Sequence, residues 1–145
     1  METGKPLPIT VMALVNAPVE KVWSDWNNPA DIMQWAHAGD DWHAPYADND
    51  ARTGGSFKTT MAAKDGSFSF DFAGVYDKVV EHELIEYSLA DGRKVSITFT
   101  AKGDQTEIAE TFDPETENPV DMQRDGWQMI LNNFKQHAEA KAADK

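Results

Sequence analysis

The residues of this chain best able to do chemistry are one acid, two phenols and a short run of imidazoles and carboxylates. Glu110 alternates with Ile108 and Phe112, and residues two apart on a strand share a face, so its carboxyl points wherever those apolar side chains point. Directed inward, it must be neutral, paired or hydrogen-bonded, and it then serves as a polar handle for a ligand or as a general base. If the face flips near a bulge or an edge, Glu110 is a solvated surface charge. Tyr76 and Tyr87 offer hydroxyls on the same terms. The run His37-Ala38-Gly39-Asp40-Asp41-Trp42-His43 gathers the ligand types of a zinc or iron site, but its spacing matches no metal motif and no metal is expected. Trp35, His37 and Trp42 read instead as rim residues that gate or orient a ligand. Asp48-Asn49-Asp50 lacks the glycine and distal glutamate of a calcium loop. Gly54-Gly55 precedes a strand rather than a helix N-terminus, which suits a bulge or sharp sheet entry and not a phosphate cradle. With no cysteine, thiol catalysis and thiolate ligation are excluded. No catalytic set emerges, and no cofactor is implied.

A larger signal is aromatic. Phe57, Phe70, Phe72, Tyr76, Tyr87, Phe99, Trp127 and Phe134 all fall on periodic positions whose faces could point toward the sheet–helix interior, and flat rings suit a flat apolar ligand. Each ring taken singly is equally at home as core filling. Ile130 and Leu131 join Trp127 and Phe134 on one helical face. Gly126 interrupts that helix, where glycine costs roughly 1 kcal/mol against alanine. Close contact with the sheet explains it most simply, and a ligand passing over the backbone is the sharper alternative.

The elements that would position these groups follow from periodicity. Pro8 to Asn16 reads as a strand. Val19, Val22, Trp23 and Trp26 mark a short amphipathic helix after Pro18. Asn28-Pro29-Ala30-Asp31 opens a second, with a capping asparagine, proline at the first helical position and an aspartate facing the positive helix end. His37 to Asp50 lacks steady periodicity and reads as a loop, a lid or rim. Five strands then follow as a meander: Arg52 to Ala62, Ser67 to Val80, Leu84 to Leu89, Arg93 to Ala101 and Gln105 to Asp113. Lys64-Asp65-Gly66, Asp91-Gly92 and Gly103-Asp104 mark their hairpins. Asn118-Pro119-Val120-Asp121 repeats the helix start, and Trp127, Ile130, Leu131, Phe134 and Ala138 trace a final helix of about 20 residues. Ala140 to Lys145, small and charged, is expected to fray. The sum is an α+β chain: a curved antiparallel six-stranded sheet wrapped around a long C-terminal helix, with two short helices after the first strand. Its 145 residues suit one domain, ordered over about 8–140. A helix on the concave side of a twisted sheet touches the middle and cannot fill both ends, which leaves room for a pocket.

Ala17-Pro18-Val19-Glu20-Lys21-Val22-Trp23, Pro29 with Trp35, Arg52-Thr53-Gly54-Gly55-Ser56-Phe57, Gly74-Val75-Tyr76, Asp91-Gly92-Arg93, and Gly126-Trp127 with Ile130-Leu131 and Phe134 occur in this order over nearly the whole chain. In them the chain resembles the START-like or helix-grip superfamily. Within it, the similarity is to the bacterial branch named after the C-terminal domain of the activator of the ninety-kilodalton heat-shock chaperone's ATPase. The resemblance implies a cavity between sheet and C-terminal helix that binds lipids, sterols, flavonoid-like compounds or polyketides in various members. It does not imply one activity. The eukaryotic co-chaperone also uses an N-terminal domain that this length does not contain, so co-chaperone activity is not expected.

Charge narrows the partners. Acidic residues number 25 and basic residues 13, a formal charge of −12, which repels phosphate backbones and anionic headgroups. Nucleic acid and membrane are therefore not expected partners. No signal-type segment opens the chain, and a cytoplasmic monomer or homodimer is expected. The first expectation is a binding or carrier protein for a small, mostly apolar molecule. The alternatives are a cyclase or hydrolase using Glu110, Tyr76 and His37, and a chaperone-interaction module.

Overall fold

The structure, a computed structural model, describes residues 7–37 and 40–143. Ala38, Gly39, Asp144 and Lys145, on which parts of the loop and tail expectations fall, lie outside them. The strands are β1 (Ile9–Val15), β2 (Trp42–Asn49), β3 (Ser56–Ala63), β4 (Ser69–Val80), β5 (Leu84–Leu89), β6 (Lys94–Lys102) and β7 (Gln105–Phe112). The helices are α1 (Val19–Asn27), α2 (Pro29–Trp35) and α3 (Val120–Ala143). One antiparallel sheet runs in the order β1-β7-β6-β5-β4-β3-β2 and curls as a half-barrel around α3.

The sheet has seven strands, not six. The segment read as a loop holds β2, whose irregular sequence has a structural cause. Its register against β3 shifts between His43 and Tyr46, and Pro45, which lacks a ladder donor, sits at that bulge on an edge strand where it does least harm. The bulge breaks the alternation that would have marked a strand.

Elsewhere alternation decides the faces. In β7, Thr106, Ile108, Glu110 and Phe112 are buried and the residues between them are half-buried. Across the ladder Val11, Glu110 and Ile97 form one row, and Ile9, Phe112 and Val95 the next. A second bulge between Tyr76 and Lys78 bends β4 and adds to the curl. Gly74 is required by close approach: a Cβ there would lie 2.7 Å from the Ser88 carbonyl oxygen and 3.0 Å from the Phe57 ring. Gly74→Ala is therefore expected to lower stability by about 1–3 kcal/mol in urea unfolding; an unchanged midpoint would show that the two strands yield freely.

α3 lies against β1, α1 and α2. Gln128 Nε2 donates to the Met12 carbonyl at 3.0 Å and Lys135 Nζ to the Leu14 carbonyl at 2.9 Å, so the helix also covers the β1 edge. Its start is fastened by Gln123, whose amide donates to the Glu115 and Asn118 carbonyls and accepts from the Glu115 N–H. The expected fraying does not begin at Ala140. The helix runs 24 residues, and Lys141 Nζ reaches Asp25 Oδ1 at 3.1 Å and Asp31 Oδ1 at 2.8 Å. His137 Nε2 meets the same Asp31 oxygen at 2.8 Å. Burial works to raise the Asp31 pKa, but its hydrogen bonds to Lys141 and His137 outweigh that and hold it below the usual range. These pairs clamp α1 and α2 onto the end of α3. That end is closed by rings: Trp26 lies 4.8 Å from both Trp35 and Phe134 and 5.7 Å from Phe99 between centroids.

Candidate functional site

The other end of the sheet–helix interior is open. α3's backbone stands near β1, and side chains bridge the rest of the gap, enclosing a cavity of about 340 Å³. Its walls are β-strand rings and one helical indole. Phe57 is the hub, with ring centroids 4.7 Å from Tyr87, 5.3 Å from Tyr76 and 5.8 Å from Phe72. Trp127 lies flat on Phe112, 4.0 Å apart and 8° from parallel, and meets Phe72 edge-on at 5.9 Å. Offset and edge contacts of this kind hold rings rigidly and leave faces available.

Of the residues singled out from sequence, Trp35, Phe57, Phe70, Phe72, Tyr76, Tyr87, Glu110, Trp127 and Ile130 line this cavity. Phe70 does so from a rim position, 42% exposed. His37 and Trp42 stand outside it, on an adjoining mouth of about 290 Å³ that shares Met61, Phe70, Trp127 and Ile130 with the inner space. Phe99, Leu131 and Phe134 line neither. They are buried in the closed end, because α1 and α2 cap the sheet there and fill it with Trp23 and Trp26.

Sequence reasoning overlooked several walls. Met61 and Thr59 share the parity of Phe57, and Ile97 shares that of Phe99, so the signal was present. Asn49 lay in the segment read as a loop. Arg93, read as the first residue of a strand, shares the parity of Phe99 too, although β6 itself begins at Lys94; Glu115 comes from the turn after β7, where no period operates. Gly126 lines the mouth, and a Cβ there would meet nothing within 4 Å. Close packing on the sheet is thus not its explanation. Gly126→Ala is expected to raise stability by about 0.5–1 kcal/mol, read as a higher Tm, since it removes unfolded-chain freedom without a clash. A lower Tm would contradict the open geometry.

Electrostatics sort the polar lining. Glu110 is 6% exposed, and burial pushes its carboxyl pKa up to about 8. Tyr87 is held well above a phenol's ordinary value, first by burial and then by the Glu110, Tyr76 and Arg93 charges around it, the last opposing. Tyr76 is likewise raised by burial, although its hydroxyl donates to Asn49 Oδ1. Asn49 Nδ2 in turn donates to the Asn27 carbonyl at 2.7 Å, which ties the β2 edge to α1. At the mouth, the Asn133 amide donates to the His37 carbonyl at 2.5 Å; in the cavity lining, Arg93 Nε pairs with Asp91 at 2.7 Å.

The family model described as Activator of Hsp90 ATPase homolog 1-like protein matches residues 16–139. The chain belongs to the AHSA1-like family. Two solved structures are similar at the level of sequence. The solution structure of the AHSA1-like protein from Aeromonas hydrophila is 39% identical, covers 93% of this chain and 94% of its own, and superposes with a TM-score of 0.87. Chr148 from Cytophaga hutchinsonii is 56% identical over 94% of this chain and 95% of its own, with a TM-score of 0.79. CV1439 from Chromobacterium violaceum, 22% identical with a TM-score of 0.82, shares the fold. No curated protein matches. The AHSA1-like assignment places the sheet and helix within the START-like architecture the sequence motifs resemble, and no helix among the described residues is long and apolar enough to cross a membrane.

Proposed function

We propose that this AHSA1-like protein binds one small, mostly apolar molecule in the cavity between β3–β7 and the N-terminal half of α3. The observation that supports the reading is the division of the interior: one end is packed with rings, while the other keeps about 340 Å³ of space walled by Phe57, Phe72, Tyr76, Tyr87 and Trp127. Apolar burial supplies about 25 cal/mol per Å² of ligand surface removed from water, and the few polar groups set orientation. Titration with the neutral fluorophore N-phenyl-1-naphthylamine tests it. A saturable 1:1 rise in emission is expected; emission rising linearly without saturation would mean that no discrete pocket takes it up.

One observation favours a second reading, a cyclase or hydrolase acting in the same cavity: a carboxyl whose pKa of about 8 lies near neutral operating pH is suited to proton transfer. Turnover of such a substrate that vanished in Glu110→Gln would favour it over simple carriage. The proposed site lies within one chain, and the carrier reading holds for a monomer or a homodimer alike.

A further inference from the structure

We propose that the cavity's ligand carries a protonated amine that pairs with the Glu110 carboxylate, its apolar body lying among the rings. The inference rests on the binding reading above and names the chemical class that the site selects.

Three observations carry it. Glu110 is 6% exposed and lines the cavity, yet it makes no hydrogen bond or ion pair with any described residue; burial is the sole cause acting on its pKa. A buried carboxylate without a partner is costly, and a cation brought by the ligand removes that cost. The surrounding walls are π systems. Phe57, Phe72, Tyr76, Tyr87 and Trp127 surround the space, and ring faces attract a desolvated ammonium but not an anion. Among the described residues the lining's one cation, Arg93, is already held by Asp91 at 2.7 Å, and the chain's formal charge of −12 draws cations toward the mouth.

The groups facing Glu110 leave the proton balance simple. β1 brings no titratable residue, β6 brings Ile97, and α3 presents only Trp127 and Ile130 to the cavity. α1 and α2 supply Trp26, Ile32 and Trp35. Tyr76 and Tyr87 are raised and stay neutral, while the Asn118 hydrogen bond holds Glu115 below the usual carboxylate range and hence charged. Arg93 is the lining's guanidinium. His37, on the mouth, is the remaining titratable neighbour.

The test compares 2-(2-naphthyl)ethylamine with the nearly isosteric alcohol 2-(2-naphthyl)ethanol by isothermal titration calorimetry from pH 6 to pH 9. The amine stays cationic over most of this range, whereas Glu110 must lose its proton to pair. Amine affinity should therefore climb with pH, approaching tenfold per unit below pH 8, and level off above it. At pH 9 the amine should bind at least tenfold tighter than the alcohol. Glu110→Gln should erase that advantage and the pH slope, and the slope should persist in His37→Gln. Equal affinities at pH 9, or an amine affinity that does not climb between pH 6 and pH 8, would overturn the amine assignment and leave the cavity reading intact. Failure of both probes to bind parent and Glu110→Gln alike would remove both.

Discussion

At pH 8, Glu110→Gln should be more stable than the parent by about 3–5 kcal/mol, and the difference should shrink toward zero near pH 4.5. The sign follows from where the proton sits. In the unfolded chain the carboxyl ionises near its ordinary value of 4.5, whereas in the folded protein burial raises that value to about 8. Between the two, the native state holds a proton that the unfolded state has lost, so stability falls as pH rises through this window. Glutamine keeps the shape and cannot ionise, so the variant is spared the loss. Urea unfolding of both proteins at pH 5 and pH 8 measures it, and a gap independent of pH would mean that Glu110 is solvated after all. A side chain that weakens the empty protein at neutral pH has the character of a binding group, because sites are where local structural consistency is given up.

The second large effect concerns Trp127. Its indole stacks on Phe112, meets Phe72 edge-on and borders both cavity and mouth. Trp127→Ala takes away one wall and widens the opening, so affinity for N-phenyl-1-naphthylamine should fall about 10- to 100-fold, the loss expected for a central aromatic contact. Met129 is 43% exposed and lines neither space, so Met129→Ala should bind within about twofold of the parent. A similar loss in both variants would point to a general loosening of α3 rather than a missing wall.

How much of this was readable beforehand differs by element. Strand parity put Glu110 with Ile108 and Phe112, and the side chain is buried between them; what parity left open was whether that face turned inward. The Asn-Pro helix start was legible for α2, where the Asn28 side chain accepts from the Ala30 N–H at 3.1 Å. At Asn118 the same letters behave differently, its amide donating to Glu115 Oε2 instead. Asp31 occupies the expected first turn, yet its principal partners are His137 and Lys141, more than a hundred residues away, a contact no local pattern encodes. β2 escaped because a proline at a bulge removes both alternation and a donor. The rings were assigned to one interior as a group, but periodicity is blind to position along the helix axis. It could not distinguish Phe99 and Phe134 at the closed end from Phe57 and Tyr87 at the open one.

The most direct measurement is an NMR search for intermolecular nuclear Overhauser effects between bound N-phenyl-1-naphthylamine and the protein's side-chain protons. Contacts from the probe to Phe57, Tyr87 and Ile97, all on the cavity wall, are predicted. Contacts confined to the exposed Phe68 and Met122, with none to those inner residues, would place binding on the surface and contradict the proposed site.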